Sequence, residues 1–378
     1  MKKVSILGST GSIGSSTLKI IKDSNNLYNV FALAAHSNID KLQQQALEFK
    51  PKLIVVYDEK KAKELRKRLP NIKILSSIEG LIEIASHPDV DFVMSAMSSS
   101  IGLIPTIEAI KANKVIGLAN KEVLVAAGDL VNQLIKRHKT VVIPVDSEHS
   151  AIFQCMKNEN HKFIKRLVLT ASGGPFLNYT KEQMQTITVK EALNHPNFQM
   201  GKKITVDSST LMNKGLELIE AYYLFNISQE QIDIVVHHQQ IIHSMVEFVD
   251  GSILAQMSEP GMEIPIRYAL SYPNRDKSKI KSFDFIKNCS LTFSEPDYDK
   301  FLCLSLALQA LKAKKSMPCF MNKANEILVL RFLQNEISWQ DIALKLEKLM
   351  SLHTPQNLID LSSVLDIEKE AENKARNI

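Results

Sequence analysis

Val4–Leu7 is a short apolar run that leads directly into Gly8-Ser9-Thr10-Gly11-Ser12-Ile13-Gly14, and a helix-forming stretch follows at once. No other segment restricts the fold as strongly. A chain leaving a buried strand must reverse within a few residues to start a helix on the face of the sheet. Glycines at i, i+3 and i+6 permit that reversal and let the backbone come close to a ligand. The N–H groups at the start of the helix then face outward, where a pyrophosphate can sit on them. The segment is a variant of the dinucleotide-binding fingerprint. A ligand-free glycine turn has the same spelling, and what favours binding is its place at the first strand of an alternating chain.

That alternation continues. Val30–Ala35, Leu53–Val56, Phe92–Ala96, Val115–Leu118 and Thr140–Val145 read as strands; Ile13–Lys22, Ile39–Phe49, Glu59–Leu69 and Gly102–Asn113 read as helices. Such a pattern gives right-handed crossovers and a doubly wound parallel sheet. The length of 378 residues calls for two or three domains. After Pro144 the texture turns to Gly-, Pro- and Ser-rich loops around strands such as Leu167–Thr170 and Ile253–Met257. Beyond Asp299 it becomes helical, with Phe301–Lys312, Asn322–Gln334, Trp339–Leu352 and Ile367–Asn377. The predicted fold is therefore α/β. It has a Rossmann-like domain over 1–145, a central α+β catalytic domain over 146–275 with a lid loop near 194–202, a linker over 276–298, and a C-terminal helical bundle over 299–378.

Several function classes drop out. The net charge is only +5, and the densest basic run, Lys61–Arg68, is interleaved with Glu64, which reads as a solvated helix face and not a nucleic-acid surface. No apolar run approaches the roughly 18 residues of a membrane span. The four cysteines (Cys155, Cys289, Cys303, Cys319) form no C-x-x-C pair. Met1-Lys2-Lys3 runs straight into a strand, so no signal peptide is expected. Together these features predict a cytoplasmic protein in a reducing compartment.

The second strand ends in His36-Ser37-Asn38, with no acid before Asp40. An NAD enzyme usually places Asp or Glu there to hold the ribose 2′-hydroxyl, so neutral donors beside His36 favour NADP.

Three carboxylates mark the chemistry. Asp146 and Glu148 flank Ser147 just after a strand. If extended, they point to one side and suit a hard cation such as Mg²⁺ or Mn²⁺; alternatively Asp146 or Ser147 caps a helix at Ala151–Met156. Glu217 lies on a predicted helix from Leu211 to Phe225, where Asn213, Glu217 and Glu220 form a stripe opposite Leu211, Gly215, Leu218, Tyr222 and Phe225. The commoner meaning of that stripe is a solvated face with a Lys214–Glu217 pair. Ser172-Gly173-Gly174-Pro175 offers a hydroxyl and backbone amides to an anion, and Asn194–Gly201 suits a mobile lid. His237, His238 and His243 lack the neighbours of a zinc site and read as strand or loop histidines.

In sequence order these segments closely resemble one family, 1-deoxy-D-xylulose 5-phosphate reductoisomerase of the methylerythritol phosphate route to isoprenoids. The resemblance is carried by GSTGSIG from Gly8, LANKE from Leu118, PVDSEH from Pro144, SGGPF from Ser172, and HPN, MGKKITVDSST and MNKGLE between His195 and Glu217. IHSMVEF from Ile242, DGSILAQMSEP from Asp250, EPDYD from Glu295 and NKANE from Asn322 complete it. It implies NADPH held at Gly8, Thr10, Gly11, Ser12 and Ile13, with His36, Ser37 and Asn38 near the 2′-phosphate and Asn120, Glu122 and Gly201 at the nicotinamide end. It implies Mg²⁺ or Mn²⁺ on Asp146, Glu148 and Glu217. Ser172, Ser208, Asn213 and Lys214 would grip the phosphate of a phosphorylated keto-sugar, while Lys121, Ser147 and His195 would contact its hydroxyls or the lid. Lys121, Glu148, His195 and Lys214 are the catalytic candidates. The implied assembly is a homodimer, and the implied reaction is rearrangement and reduction to 2-C-methyl-D-erythritol 4-phosphate. Departures are local. Family members often carry Gly-Lys where this chain has His36-Ser37, Trp where it has Phe198, and Pro-Gln-Ser where it has His238-Gln239-Gln240. The rival readings are a plain NADP-dependent dehydrogenase with structural carboxylates and a non-catalytic NADP sensor.

Overall fold

A computed structural model of the chain describes residues 1–97, 100–194, 200–287 and 290–378. His195, Phe198 and the rest of 195–199 in the expected lid lie outside the described residues, as does Cys289. In chain order the first elements are β1 (Lys2–Leu7), α1 (Ser12–Lys22), β2 (Tyr28–Ala35), α2 (Ile39–Phe49), β3 (Leu53–Val56), α3 (Glu59–Arg68), β4 (Lys73–Ser76) and α4 (Ser77–Ser86). Then follow β5 (Phe92–Ser95), α5 (Leu103–Lys111), β6 (Val115–Leu118), α6 (Glu122–His138), β7 (Val142–Pro144) and α7 (Ser147–Cys155). The middle of the chain supplies β8 (Ile164–Ala171), α8 (Val189–Ala192), α9 (Lys202–Ser209), α10 (Met212–Phe225), β9 (Ile232–Val236), β10 (Ile242–Phe248), β11 (Ile253–Met257) and α11 (Glu263–Ser271). Four helices close the chain: α12 (Leu302–Ala313), α13 (Met317–Leu333), α14 (Trp339–Ser351) and α15 (Leu361–Asn377).

Two compact units form. One comprises Met1–Val123, Val131–Ser150 and Gly261–Lys281; the other comprises Leu124–Leu130, Ala151–Pro260 and Ser282–Ile378.

The first unit is built on a parallel sheet ordered β4-β3-β2-β1-β5-β6-β7. Its strands read as near-continuous apolar runs because helices cover both faces. Val4, Ile6, Leu33, Ile54, Val93 and Ile116 are fully buried. In α1 the apolar stripe Leu18, Ile20 and Ile21 is buried, while Lys19 and Lys22 occupy the last turn, where cations suit the helix dipole. Helix α11 returns to this unit from far along the chain. Lys19 Nζ pairs with Glu263 Oε1 at 2.6 Å, and Lys2 Nζ donates to the Leu270 carbonyl at 2.6 Å. The strand order reverses between β1 and β5, and ligands bind outside the strand ends at such a point.

Strand β4 and helices α4 and α6 are additions to the expected pattern. β4 is a four-residue edge strand opening on exposed Lys73, too short to show alternation. α6 begins with the β-branched, Gly-containing run Glu122–Gly128 and is broken at Ala127, whose φ of −139° is not helical.

The second unit carries a mixed four-stranded sheet ordered β11-β10-β8-β9, with β8 and β9 parallel and the other pairs antiparallel. The helices expected beyond Asp299 are present as α12–α15. Leu304, Ala307, Leu311, Phe320, Leu328, Leu346 and Val364 are fully buried. Helix α10 lies so close to α12 that a Cβ on Gly215 would collide with that of Ala307.

Candidate active site

In the first unit every predicted site residue lies at the carboxyl end of a strand. Gly8 follows β1 with φ +85°, and a Cβ there would come within 2.5 Å of the Ala96 carbonyl oxygen beyond β5. A side chain at Gly14 would lie 2.5 Å from Ser9 Cα. The turn is thus closed by backbone alone, with Gly11 N donating to Gly8 O at 3.1 Å. Ser9 is buried beneath it and exchanges two hydrogen bonds with Gln45 of α2, at 2.8 and 2.9 Å. Gly11 caps α1 without a side-chain hydrogen bond. The first N–H groups of that helix, around exposed Ser12 and half-buried Ile13, therefore face the position a pyrophosphate takes. Thr10 completes this lip, half-buried.

At the end of β2 the three candidates differ in what they do. The His36 ring stacks on Tyr57, with centroids 5.3 Å apart. Ser37 is exposed, and Asn38 is the N-cap of α2, its Oδ1 accepting from Lys41 N at 3.2 Å. Asp40 pairs with Arg68 at 2.6 Å, and Lys41 Nζ donates to Thr10 O at 2.9 Å. Lys41, Gln45 and Arg68 were not among the predicted residues. A lysine one turn beyond the second strand was the available signal for the first of them.

Beyond β6, Asn120 is buried and its Nδ2 donates to the Met97 carbonyl, tying the ends of β5 and β6 together. Lys121 is 5% exposed and forms an ion pair with Asp146. Glu122 opens α6. Past β7 the extended geometry considered for Asp146 and Glu148 is replaced by the capping alternative. Helix α7 starts at Ser147, and Ser150 N donates to Asp146 O at 2.8 Å. The physical reason is local, because acidic groups at and just inside a helix N-terminus complement its unpaired N–H groups and dipole. The helix still brings ligand atoms of Asp146 and Glu148 within 4.8 Å of each other. Ser147 Oγ holds Glu148 Oε2 at 2.5 Å.

The second unit carries the remaining candidates. Gly173 and Gly174 have φ of +83° and +70°, and a Cβ on Gly174 would lie 2.5 Å from the Ser208 carbonyl oxygen. The Ser172-Gly-Gly turn is therefore pressed against the end of α9, and Ser172 and Ser208 become neighbours. Ser172 Oγ accepts from Gly174 N at 3.2 Å, and Ser208 Oγ donates to Ile204 O at 2.8 Å. Ser172 and Gly174 also line a cavity of about 540 Å³ with Asn178, Asn194 and His238. Gly201 is the N-cap of α9.

Helix α10 begins after Leu211, a left-handed residue at φ +58°. Its polar stripe is not solvated: Lys214 is 4% exposed, Glu217 1% and Glu220 0%. The solvated-face reading fails because this face is removed from solvent as fully as the apolar one. Asn213 Nδ2 donates to Glu217 Oε1 at 2.5 Å, and Lys214 Nζ pairs with Glu217 Oε2. Residues without a predicted role hold α9 in place. Lys203 Nζ lies 2.9 Å from buried Asp207, Asn325 of α13 donates to Asp207 Oδ1 at 2.8 Å, and Trp339 Nε1 donates to Ser209 Oγ at 2.9 Å. Asn325 lies inside the NKANE stretch, so its position was visible but its partner was not.

The histidines do not gather. His237 Nδ1 contacts Thr292 O at 2.8 Å, and His243 Nε2 contacts Ser258 Oγ at 2.8 Å. Burial pushes the His243 imidazole down to about 4, so it is neutral at ordinary pH. The departure at His238 has a structural use, since its Nδ1 lies 3.3 Å from Thr292 Oγ1, which also donates to Gln239 Oε1 at 3.0 Å.

Each unit thus offers carboxylates whose buried charge is balanced by an ammonium, Lys121 on Asp146 and Lys214 on Glu217. Oxygen-only donors of this kind fit Mg²⁺ or Mn²⁺. The glycine turn fits a dinucleotide because a side chain at Gly8 or Gly14 would close it.

Comparison with known proteins covers nearly the whole chain. Residues 4–128 match the family model described as 1-deoxy-D-xylulose 5-phosphate reductoisomerase, residues 142–225 match that enzyme's C-terminal domain, and residues 257–374 match a further DXP reductoisomerase C-terminal domain. A protein of that name from Protochlamydia amoebophila is 52% identical over 375 residues, covering 99% of this chain and 98% of the relative. One from Thermoanaerobacter pseudethanolicus is 49% identical over 376 residues, with coverage of 99% and 98%. A crystal structure of DOX-P reductoisomerase in complex with NADPH, fosmidomycin and magnesium superposes with a TM-score of 0.96 at 42% identity, covering 100% of this chain and 98% of the other. The Zymomonas mobilis enzyme in complex with NADPH gives a TM-score of 0.93 at 41% identity, with the same coverage.

Proposed function

The chain belongs to the 1-deoxy-D-xylulose 5-phosphate reductoisomerase family, and on that premise we propose which of its residues carry the reaction. The protein is an NADPH- and divalent-metal-dependent enzyme. It rearranges and reduces 1-deoxy-D-xylulose 5-phosphate to 2-C-methyl-D-erythritol 4-phosphate on the way to isoprenoid precursors.

In this reading Gly8, Thr10, Gly11, Ser12 and Ile13 hold the NADPH pyrophosphate, and Asn120, Glu122 and Gly201 line its nicotinamide end. Asp146, Glu148 and Glu217 hold the metal. Once bound, the ion supplies Lewis acidity toward the substrate's oxygens and NADPH supplies the hydride. Ser172, Ser208, Asn213 and Lys214 bind the substrate phosphate, with Lys214 as the cation of the set. Lys121, Ser147, Glu148 and His195 orient the sugar hydroxyls, and Lys121 Nζ and the Glu148 carboxylate hold the protons that move during rearrangement. The phosphate supplies binding energy that can be spent on orienting the reacting carbons.

One observation supports the residue assignment above the others: Lys121–Asp146 and Lys214–Glu217 are charge pairs almost wholly removed from solvent. Structural salt bridges this deep seldom stabilise more than an apolar pair would. The test is NADPH oxidation with 1-deoxy-D-xylulose 5-phosphate and Mg²⁺, with the product's carbon skeleton analysed. Asp146→Asn and Glu217→Gln are expected to lose both metal affinity and turnover. Turnover that survives in metal-free Glu217→Gln would leave a plain dehydrogenase with structural carboxylates.

A homodimer belongs to the same reading. Strand β11 is the edge of its sheet and exposes Ile253 and Leu254, and an edge of this kind pairs readily with a second copy. A cytoplasmic location fits the widely spaced cysteines, of which Cys155, Cys303 and Cys319 are free thiols. Among the described residues no helix is long and apolar enough to cross a membrane.

A further inference from the structure

The loop after β2 lacks the lysine that members of this family often carry, and His36-Ser37 stands in its place. A 2′-phosphate is normally met there by a cation, since the adenosine ribose lies outside the carboxyl end of the second strand. We propose that Lys41 is the residue that reads the 2′-phosphate of NADPH in this chain, with Arg68 clearing its surroundings by holding Asp40.

Three observations converge on Lys41. It occupies the first turn of α2 and reaches back across the loop, its Nζ donating to the Thr10 carbonyl at 2.9 Å. The ammonium therefore lies between the glycine turn and the β2–α2 loop, the two segments that bracket the adenosine ribose in folds of this kind. The carbonyl uses one of its three donors, and among the described residues no carboxylate pairs with it. Second, the acid next to it in the chain is diverted. Asp40, which in an NAD enzyme could take the ribose hydroxyls, pairs instead with Arg68 Nη1 at 2.6 Å. Third, the other residues at the loop are committed or neutral. Asn38 Oδ1 caps α2, and the His36 ring is stacked on Tyr57. Ser37 remains as a neutral donor that can share the phosphate with Lys41.

The proposal rests on NADPH binding at the Gly8–Gly14 turn and adds the residue that discriminates it from NADH. It is tested by binding alone, without substrate or turnover. The full chain and its variants are titrated with NADPH and with NADH, following nicotinamide fluorescence, and 2′,5′-ADP and ADP are used as competitors. Lys41→Met is expected to weaken NADPH and 2′,5′-ADP about tenfold, the scale of one half-exposed charge-assisted contact. NADH and ADP should change less than about twofold, and the salt dependence of NADPH binding should become shallower. Lys41→Arg should retain the preference, and Arg68→Met should reduce it by exposing Asp40 to the phosphate. Equal weakening of both nucleotides in Lys41→Met would reduce Lys41 to a brace for the Thr10 turn and overturn the proposal. So would no change in either. The NADH affinity of each variant reports whether the turn itself is intact. A wild-type chain that bound neither nucleotide would overturn the cofactor site at the glycine turn instead.

Discussion

The glycine turn at Gly8–Gly14 and the helix pair from Lys202 to Phe225 both carry candidate site residues, and they are built by opposite means. The turn works through backbone. Its requirements are a positive φ at Gly8, a Cβ-free approach to Ala96, and N–H groups left without a side-chain cap. The helix pair works through side chains whose charges are nearly buried, with Lys214 and Glu217 on α10 and Asp207 on α9 held by Lys203 and Asn325. A backbone site is satisfied by local geometry. A buried-charge site exists only while every partner is in place, so it is the more fragile of the two.

That contrast can be broken by experiment, beginning with chemistry. Glu217→Gln keeps the shape of the side chain and removes one negative charge. Turnover at saturating Mg²⁺ is expected to fall on the order of a thousandfold, the scale of losing one preorganised electrostatic contact. A fall of less than tenfold would return Glu217 to a structural role. Next comes stability. Lys214→Met leaves Glu217 buried beside an apolar chain and should lower the unfolding free energy by about 3–5 kcal/mol. A Lys214→Met, Glu217→Met double variant should recover most of that loss in urea unfolding. If the double variant is as unstable as the single one, the pair is not what stabilises α10.

His243 gives an intermediate effect and sets the pH dependence. Its ordinary value is 6.5, and burial lowers it to about 4, so between these two values the folded chain binds fewer protons than the unfolded chain. Stability therefore falls as pH drops from about 6.5, and below about 4 the loss reaches roughly 3 kcal/mol. His243→Gln should flatten this part of the stability profile without moving it at neutral pH. The smallest effect is expected at the turn. Gly8→Ala forces a methyl against the Ala96 carbonyl at a left-handed backbone position, costing about 1–3 kcal/mol, and it should weaken NADPH and NADH alike. A selective loss of NADPH would mean that Gly8 shapes the 2′-phosphate site as well as the turn.

Local pattern accounts for much of what could be read in advance. The strands at Leu53–Val56 and Val115–Leu118 and the helix at Ile39–Phe49 have the expected bounds, because apolar runs punctuated by caps and glycines carry their own signal. β4 escaped notice because four edge residues carry too little pattern, and α6 because its helical period is interrupted at Ala127. At the site, Ser172 and Ser208 were legible as candidates but not as neighbours, since what joins them is the approach of Gly174 to the Ser208 backbone. The Asn213–Glu217–Glu220 stripe was visible as a stripe, but spacing alone left a solvated face as its commoner meaning, because burial depends on what packs over a helix from elsewhere.

The sequence by itself determined the parallel sheet, the turn at its first strand and the residue types available for an anionic sugar and a cation. These follow from short-range preferences that each segment carries whatever surrounds it. Tertiary structure decided which charges are buried, that Asp207 is held by Asn325 from 118 residues away, and that Lys41 bridges to Thr10. Contacts between distant segments set desolvation and pairing, and those quantities are absent from any local window of the chain.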